Sequence, residues 1–265
     1  MSCKSLHLSL AAPVKKGGLT YLCSSSGGGD LPPAAATTDT VRPGLRAGDR
    51  LAGEGGAFLV RSAAWLPEGA SASSRPLYLL EALGDMAPGD GLFEVVRTGY
   101  ALAWITLSDK GSRGERVDES GPLVGKLVGE VLELNYVQGF VIPDETGQLK
   151  GLLADLALNQ GFDLILTTGG TGVAPRDVSP EATLAVIEKR LPGYERAMTA
   201  ASLAKTPHGA ISRAVAGTLG NALIVNMPGS PKAVAECLEP LLPTFRHTLE
   251  KLQGDPSDCA ALRDG

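Results

Sequence analysis

The two parts of the chain differ in the spacing of their hydrophobic residues. From about residue 100 onward, apolar runs of strand length alternate with longer stretches of helical period. The four predicted strands are 103–107, 137–142, 163–168 and 222–226. Alternation of this kind is typical of βαβ units, which build a mostly parallel sheet. We therefore predict an α/β domain over residues 99–265.

Helix boundaries in this domain are predicted from apolar stripes and capping residues. Ser120 precedes a single apolar stripe of helical period, so it is the predicted cap of one helix. A second helix is predicted over 145–159, with Gly161 ending it. Ser-Pro pairs that begin at Ser179 and Ser230 predict two further helix starts, each with Ser as the cap and Pro at the first helical position.

The N-terminal part, residues 1–98, has a different texture. It is rich in Gly and contains short apolar runs at 57–60, 77–80 and 92–96, which have the length of strands. Residues 24–44 show runs of Ser, Gly, Pro, Ala and Thr without a hydrophobic period, which indicates a flexible segment. We predict a small β domain of unknown role, either a structural or oligomerising appendage or a ligand-binding unit.

Composition indicates a folded protein without a membrane segment. The chain of 265 residues contains 34 Gly and 18 Pro, with 43% hydrophobic and 20% charged residues, which is too apolar for a disordered chain. No run approaches the roughly 20 apolar residues that span a bilayer. The apolar residues near the start are too few for a secretory signal. We therefore expect a cytoplasmic protein with no membrane contact.

Charge and cysteine content argue against two further classes of protein. The net charge is −5, with the excess of carboxylates in residues 99–265, whereas nucleic-acid binding needs a basic face. Cys3, Cys23, Cys237 and Cys259 form no C-x-x-C pair and no zinc-type spacing. We expect unpaired thiols, no zinc site and no nucleic-acid partner.

Polar or Gly-bearing segments follow all four predicted strands. They begin at Ser108, Pro143, Thr167 and Asn226. The carboxyl ends of parallel strands lie at one edge of a sheet, and ligands of such folds bind there. The four segments together therefore predict a pocket at that edge.

The loop Thr-Thr-Gly-Gly-Thr-Gly at 167–172 is suited to an anion. Its glycines let backbone N–H groups approach a phosphate, and its hydroxyls offer further donors. It lacks the Gly-Lys-Ser/Thr of a Walker loop and the Gly-x-Gly-x-x-Gly of a dinucleotide site. Three carboxylates lie in the strand-end loops: Asp109, Asp144 and Asp177. Each is either a turn residue or a functional one, and their shared location favours a pocket that contains all three.

Four ordered motifs over residues 101 to about 252 resemble the molybdopterin adenylyltransferase family of molybdenum cofactor biosynthesis, of the MogA and MoaB type. In chain order they read ITLSDKGSRGERVDESGP, IPDE, TTGGTGVAPRDVSPEAT and LIVNMPGSPKAVAE. The resemblance implies a three-layer α/β fold with a mostly parallel sheet, usually trimeric, that binds molybdopterin. With Mg-ATP, this family transfers AMP to the terminal phosphate of the pterin and releases pyrophosphate. Residues 1–98 lie outside the resemblance.

The resemblance also implies roles for particular residues. Asp144 and Asp177 correspond to the two essential carboxylates of the family. Ser212 and Asn226 match positions that contact the pterin. Lys110 stands where the family often has Arg, which keeps the positive charge but loses the planar fork. The other implied residues cradle phosphate or line the mouth of the site: Ser108, Asp109, Thr168, Gly169, Gly170, Thr171, Gly172, Pro228 and Gly229.

The implied reaction needs no general base, because a phosphate nucleophile is already ionised at neutral pH. We therefore assign Asp144 and Asp177 to holding Mg²⁺ or orienting substrate, with the choice between the two roles open. The expected cofactor is Mg²⁺, with ATP as substrate. The expected partners are molybdopterin, further copies of the chain in a homotrimer, and a molybdenum-insertion protein that receives the product. The alternative is a non-catalytic molybdopterin-binding carrier or scaffold, which would have little need of the two carboxylates.

Overall fold

The structure is a computed structural model that describes residues 4–25, 36–40, 44–66 and 74–256. The chain divides into two compact units, Met1–Gly99 and Tyr100–Gly265, and each is described by itself. Within the described ranges, no helix combines the length and the apolar character that crossing a membrane requires.

The first unit is a closed barrel of β-strands. Its described strands are β1 Lys4–Leu10, β2 Leu19–Ser24, β3 Ala36–Thr38, β4 Arg50–Gly53, β5 Gly56–Leu66, β6 Arg75–Ala82 and β7 Gly89–Val96. They follow the order β1-β3-β2-β6-β5-β4-β7, and β7 closes the barrel by pairing with β1. The predicted β-rich N-terminal region is therefore present, and the three runs predicted as strands lie within β5, β6 and β7.

The barrel core follows from alternation along the strands. Successive side chains of a strand point to opposite faces, so Leu6, Leu8 and Leu10 of β1 are buried while the residues between them are exposed. They belong to one core cluster with residues from the other strands, including Leu22, Leu51, Phe58, Val60, Leu80 and Phe93.

One strand lies where composition predicts a flexible segment. Within residues 24–44, Ala36–Thr38 form β3, which pairs with both β1 and β2. Pairing on two sides satisfies the backbone N–H and C=O groups of this strand, and its three residues are too few to show a hydrophobic period in the sequence. The prediction is therefore wrong at β3. Residues 26–35 and 41–43 of the predicted segment lie outside the described residues.

The second unit is built on a mixed sheet. Its strands are β8 Tyr100–Leu107, β9 Leu134–Ile142, β10 Leu164–Thr168, β11 Lys189–Arg190, β12 Ala216–Leu219 and β13 Ala222–Met227, in the order β11-β12-β13-β10-β8-β9. The pairings from β13 through β10 and β8 to β9 are parallel, and β11 and β12 are antiparallel. The four predicted strands are confirmed. The pattern missed β11 and β12, which are short and contain little apolar alternation.

Helices lie between these strands and after the last of them. They are α1 Asp109–Ser112, α2 Ser120–Gly129, α3 Thr146–Ala154, α4 Ser179–Leu184, α5 Pro192–Leu203, α6 Pro231–Leu238 and α7 Leu242–Leu252. The helix predicted over 145–159 is α3, continued by a π-helical turn at Asp155–Gln160. Gly161 ends it with a φ of +72°, as predicted.

Two of the predicted serine caps have other hydrogen-bonding roles. Ser120 is the first residue of α2, and Asp118 caps this helix instead, because its Oδ1 accepts hydrogen bonds from the N–H groups of Ser120 and Gly121. The Ser120 hydroxyl donates to the carbonyl of Gly229 at 2.8 Å. The prediction of Ser120 as the cap is therefore wrong by two residues.

The Ser-Pro starts give one confirmation and one correction. Ser230 caps α6, because its Oγ accepts from the N–H of Ala233. Ser179 begins α4 without capping it, since no side chain of the described residues caps this helix. The buried Ser179 hydroxyl instead donates to the carbonyl of Gly169 at 2.7 Å. Competition from that carbonyl explains why the capping prediction fails there.

One face of the sheet packs against four helices. Leu164 and Leu166 of β10 and Leu223 of β13 belong to a core cluster that includes residues of α2, α5, α6 and α7. Cys237 lies in this cluster as a free thiol, and burial raises its pKa to about 11. Cys23, in the barrel, is also a buried free thiol, which confirms the prediction for these two. Cys3 and Cys259 lie outside the described residues.

Glycines of α2 and β9 make room for the indole ring of Trp104. A Cβ atom built on Gly121 would lie 2.2 Å from Trp104 Nε1, and one on Gly139 would lie 2.4 Å from Trp104 Cε2. Real Cβ atoms do not approach so closely, so a side chain at either position would displace the ring or the helix.

Gly121→Ala should lower the free energy of unfolding by about 1–3 kcal/mol, because it forces an extra methyl group into this packed contact. Gly151→Ala is the matched control, since a Cβ there meets nothing within 4 Å and the substitution raises helix propensity by up to about 1 kcal/mol. Urea unfolding of the full chain measures both. Equal stability of the two variants would contradict the contact.

Candidate functional site

The carboxyl ends of four parallel strands lie at one edge of the sheet in the second unit, because β13, β10, β8 and β9 are parallel neighbours. Backbone hydrogen bonds join the loops that follow them. Ser108 N donates to Ile142 O at 2.9 Å, and Gly169 N donates to Met227 O at 3.1 Å. The loops predicted to form a pocket therefore lie side by side.

Asp109 and Asp144 are joined across this edge by reciprocal hydrogen bonds. The N–H of Asp109 donates to Asp144 Oδ2 at 3.1 Å, and the N–H of Asp144 donates to Asp109 Oδ1 at 3.2 Å. The loops after β8 and β9 are thereby fixed to each other with two carboxylates between them.

Arg176 links the glycine-rich loop to this pair. Its Nη2 donates to Asp109 Oδ1 at 2.7 Å, and its Nη1 donates to Glu145 Oε1 at 2.9 Å. Neither Arg176 nor Glu145 is among the predicted site residues. The available signal was the position of each beside a predicted carboxylate, Arg176 before Asp177 and Glu145 after Asp144.

The two neighbouring carboxyls have opposite pKa shifts. Hydrogen bonding from the Arg176 guanidinium holds the pKa of Asp109 below its usual range, and the N–H of Asp144 acts in the same direction. Partial burial raises the pKa of Asp144, and the negative charges of Asp109 and Asp177 raise it further. The hydrogen bond from the N–H of Asp109 and the charge of Arg176 lower this pKa, but the net shift is upward. Of these two carboxyls, Asp144 is therefore the one whose ionised form the surrounding protein disfavours.

Asp144→Asn should raise the melting temperature at pH 7. A carboxyl whose pKa is raised on folding contributes stability that is present below its unfolded pKa and is lost as pH rises through the raised folded value. At pH 7 the ionised Asp144 therefore disfavours the fold, and the amide removes that effect. Because this side chain is partly exposed to solvent, the gain is small, about 1–2 °C. Thermal unfolding measures it.

The gain from Asp144→Asn should shrink as the pH is lowered toward 3.8, the ordinary value for this carboxyl. There the folded wild type carries a largely neutral Asp144, so the two proteins become alike. A melting temperature below that of the wild type at pH 7 would contradict the assignment.

The first two glycines of the glycine-rich loop occupy positions that only glycine suits. Gly169 and Gly170 have φ values of +91° and +65°. A Cβ on Gly169 would lie 2.7 Å from the carbonyl oxygen of Leu107. Across the described residues, the backbone N–H groups of 170–173 find no acceptor. Successive unpaired N–H groups in a turn of this kind bind anions.

Asp177 lies against the same loop. Its Oδ2 accepts a hydrogen bond from the N–H of Ala174 at 2.8 Å. A Cβ on Gly172 would lie 2.7 Å from this oxygen. The carboxylate is therefore next to the unpaired N–H groups and close enough to Asp144 to raise its pKa.

A cavity of about 280 Å³ opens at the ends of β8 and β10. Ser108, Thr168 and Gly229 line it, so the structure brings these three predicted residues together. The cavity is also lined by residues outside the predicted set. Among them, Thr106 accepts a hydrogen bond from Thr168 and donates one to Asp118 at 2.8 Å.

Ser212 and Asn226 lie elsewhere. Ser212 lines a second cavity, of about 630 Å³, together with Arg213. Asn226 is fully buried. Its Nδ2 donates to the hydroxyls of Thr167 and Thr183, and its Oδ1 accepts from the N–H of Val215. With its amide engaged inside the protein, Asn226 fixes the end of β13 and offers no surface to a substrate. Pro228, which follows β13, is half-buried.

The site offers oxygen donors for a metal ion. Asp144 and Asp177 supply carboxylates of the kind that Mg²⁺ takes. In the part of the chain that the structure describes, no three His, Cys, Asp or Glu side chains form a group able to hold a metal. The residues therefore fit an ion such as Mg²⁺, most of whose ligands would be oxygen atoms of phosphates and water.

Comparison with known proteins places the second unit in a family. The family described as "Probable molybdopterin binding domain" matches residues 103–247. The "Molybdenum cofactor synthesis protein cinnamon" of Drosophila melanogaster is 39% identical over 153 residues, which are 58% of this chain and 26% of the fly protein. This chain thus spans about a quarter of the length of that relative.

Smaller relatives are matched over most of their length. A "Molybdopterin adenylyltransferase" of Helicobacter pylori is 36% identical over 153 residues, which are 57% of this chain and 86% of that protein. The crystal structure of the molybdopterin biosynthesis enzyme MoaB from Thermus thermophilus is 41% identical, covers 60% of this chain and 99% of that chain, and has a TM-score of 0.54. The chain therefore belongs to the molybdopterin-binding domain family of molybdenum cofactor biosynthesis.

Proposed function

We propose that the protein is a molybdopterin adenylyltransferase, which transfers AMP from Mg-ATP to the terminal phosphate of molybdopterin and releases pyrophosphate. The observation that carries this proposal is the row of unpaired N–H groups at 170–173, which lies at the same strand ends as the carboxylates of Asp144 and Asp177. Relatives that bear the name molybdopterin adenylyltransferase support it.

Attack of one phosphate on another brings several negative charges together, so catalysis rests on positioning and charge neutralisation. The N–H groups of 170–173 would bind phosphate oxygens without giving up a proton. They are already oriented by the loop, so little reorganisation is needed as charge shifts between phosphates. The phosphate nucleophile is ionised at neutral pH, so no residue of the site has to remove a proton from it.

Asp144 and Asp177 would hold the Mg²⁺ that accompanies ATP or orient the substrate, and either residue could have either role. Mg²⁺ bound there would neutralise phosphate charge. The raised pKa of Asp144 is consistent with a carboxylate prepared for a cation. Arg176 is tied to Asp109 and Glu145, so its part is to keep the loops after β8, β9 and β10 together. Ser108, Thr168 and Gly229 would line the place of a substrate ring in the 280 Å³ cavity.

The assembly belongs to the same proposal. We propose a three-layer arrangement in the second unit, a homotrimer, and delivery of the adenylylated product to a molybdenum-insertion protein. The core cluster on one face of the sheet and the hydrogen bond from Asn226 to Thr183 of α4 support helices on both faces. Sedimentation equilibrium should give three times the mass of one chain, and a monomer at micromolar concentration would contradict the trimer.

Incubating the full chain with molybdopterin and Mg-ATP tests the proposed activity. Pyrophosphate should be released only when molybdopterin is present, because the pterin phosphate is the acceptor. Tight binding of molybdopterin without any pyrophosphate release would contradict the enzyme and indicate the alternative, a carrier or scaffold that only binds the pterin.

A further inference from the structure

Four successive carbonyl groups of the glycine-rich loop are bound by only two residues. Ser179 binds the first pair, since its Oγ donates to Gly169 O at 2.7 Å and its N–H donates to Gly170 O at 3.1 Å. Arg213 binds the second pair, since its N–H donates to Thr171 O at 2.9 Å and its Nε donates to Gly172 O at 2.7 Å.

These carbonyl bonds determine where the N–H groups point. A peptide unit is planar and trans, so the N–H of each residue points opposite to the carbonyl of the residue before it. The carbonyls of 169–172 share their peptide units with the N–H groups of 170–173. Each of those four N–H groups is therefore turned away from Ser179 or Arg213, which agrees with their lack of an acceptor among the described residues.

Arg213 also binds the segment that follows the loop. Its Nη2 donates to the carbonyl of Asp177 at 2.8 Å, so one guanidinium fork joins Gly172 to the residue that carries the second carboxylate. Its Nη1 contacts the carboxylate of Glu181, whose pKa is held below its usual range by that hydrogen bond. The charge of Arg213 is thus already paired with Glu181. The loop is held by the directions in which the guanidinium donates its hydrogen bonds.

Resting on the adenylyltransferase function proposed above, we propose that Arg213 and Ser179 are positioning residues that orient the phosphate-binding N–H groups of 170–173. They act on the carbonyl side of the loop and need not contact the substrate. A lysine at position 213 would keep the charge but could not donate to two carbonyls in fixed directions. If Arg213 only supplied a positive charge to phosphate, lysine would preserve its function. If Arg213 orients the loop, lysine would not.

Arg213→Lys in the full chain tests this inference, with inorganic pyrophosphate as the probe. Affinity should fall about tenfold, the loss expected when charge-assisted hydrogen bonds no longer set the loop, and kcat/KM should fall with it. The melting temperature should fall by only a few degrees, because the backbone bond from Arg213 to Thr171 remains and the side chain is partly exposed to solvent. Arg190→Lys is the matched control, since Arg190 makes a forked ion pair with Glu195 and no bond to the loop.

Each outcome decides the question. Unchanged pyrophosphate affinity in Arg213→Lys, with a wild type that binds pyrophosphate and turns over, overturns the positioning role and leaves the adenylyltransferase intact. A wild type that neither binds pyrophosphate nor releases it overturns both. Should Arg213→Lys fail to fold, Ser179→Ala serves instead, because it removes only the hydroxyl bond to Gly169. A weaker pyrophosphate affinity in that variant supports the inference, and an unchanged one overturns it.

Discussion

Asp177→Asn should lower the rate of pyrophosphate release about a hundredfold or more while leaving the affinity for molybdopterin within a few-fold of the wild type. Losses of this size are typical when a group that stabilises transition-state charge is removed. Asparagine can still accept the hydrogen bond from the N–H of Ala174, so the loop should keep its shape. The substitution removes the negative charge of the carboxylate, which we propose holds Mg²⁺ or orients the substrate.

Steady-state turnover and a separate titration with molybdopterin distinguish this role from a structural one. Asp90→Asn is the control, since Asp90 is exposed on β7 of the barrel and should leave both values unchanged. Equal losses of turnover and molybdopterin affinity in Asp177→Asn, together with a lower melting temperature, would show that Asp177 holds the fold instead.

Gly169→Ala should also lower the rate of pyrophosphate release strongly. Its φ of +91° is unfavourable for alanine, and the new Cβ would lie 2.7 Å from the backbone oxygen of Leu107. That oxygen belongs to the end of β8 and cannot move aside as a flexible side chain would. The loop must therefore shift, and the N–H groups that we assign to phosphate shift with it, so we expect about a hundredfold loss of kcat/KM.

Gly254→Ala is the matched control for Gly169→Ala. Gly254 has a φ of +89°, and a Cβ there meets no atom of the described residues within 4 Å. Both variants carry the same backbone strain, about 1 kcal/mol or more, but only the first also displaces the site. Equal activity of the two variants would mean that the glycine-rich loop does not bind the reacting phosphates.

The strand ends of the second unit could be predicted from sequence because the relevant signals are local. Four apolar runs of strand length, each followed by a polar or Gly-bearing turn, place the loops of Ser108, Asp144, Gly169 and Pro228 at one edge of the sheet once the strands are parallel. The structure has these loops in contact. Gly161 and Ser230 were predicted for the same reason, since a helix end and a helix cap depend on their neighbours in the chain.

Contacts between distant segments could not be predicted in this way. Ser179 looks like a helix cap, but the carbonyl of Gly169 accepts the hydrogen bond of its hydroxyl. Asn226 belongs to a strand-end motif, but its side chain is buried and makes three hydrogen bonds to separate segments of the chain. Arg213 follows Ser212 in an ordinary turn, and its bonds to Gly172 and Asp177 span 41 and 36 positions of sequence. In each case the tertiary partner, which the local pattern does not contain, decides the role.

We propose that this chain moves the AMP part of ATP onto the phosphate of molybdopterin. Two parallel incubations of the full chain with molybdopterin and Mg²⁺ test it, one with ATP labelled at the α-phosphate and one with ATP labelled at the γ-phosphate. The α-label should appear on the pterin product and the γ-label in pyrophosphate, in equal amounts. Release of γ-label as orthophosphate, with no α-label on the pterin, would contradict adenylyl transfer by this chain.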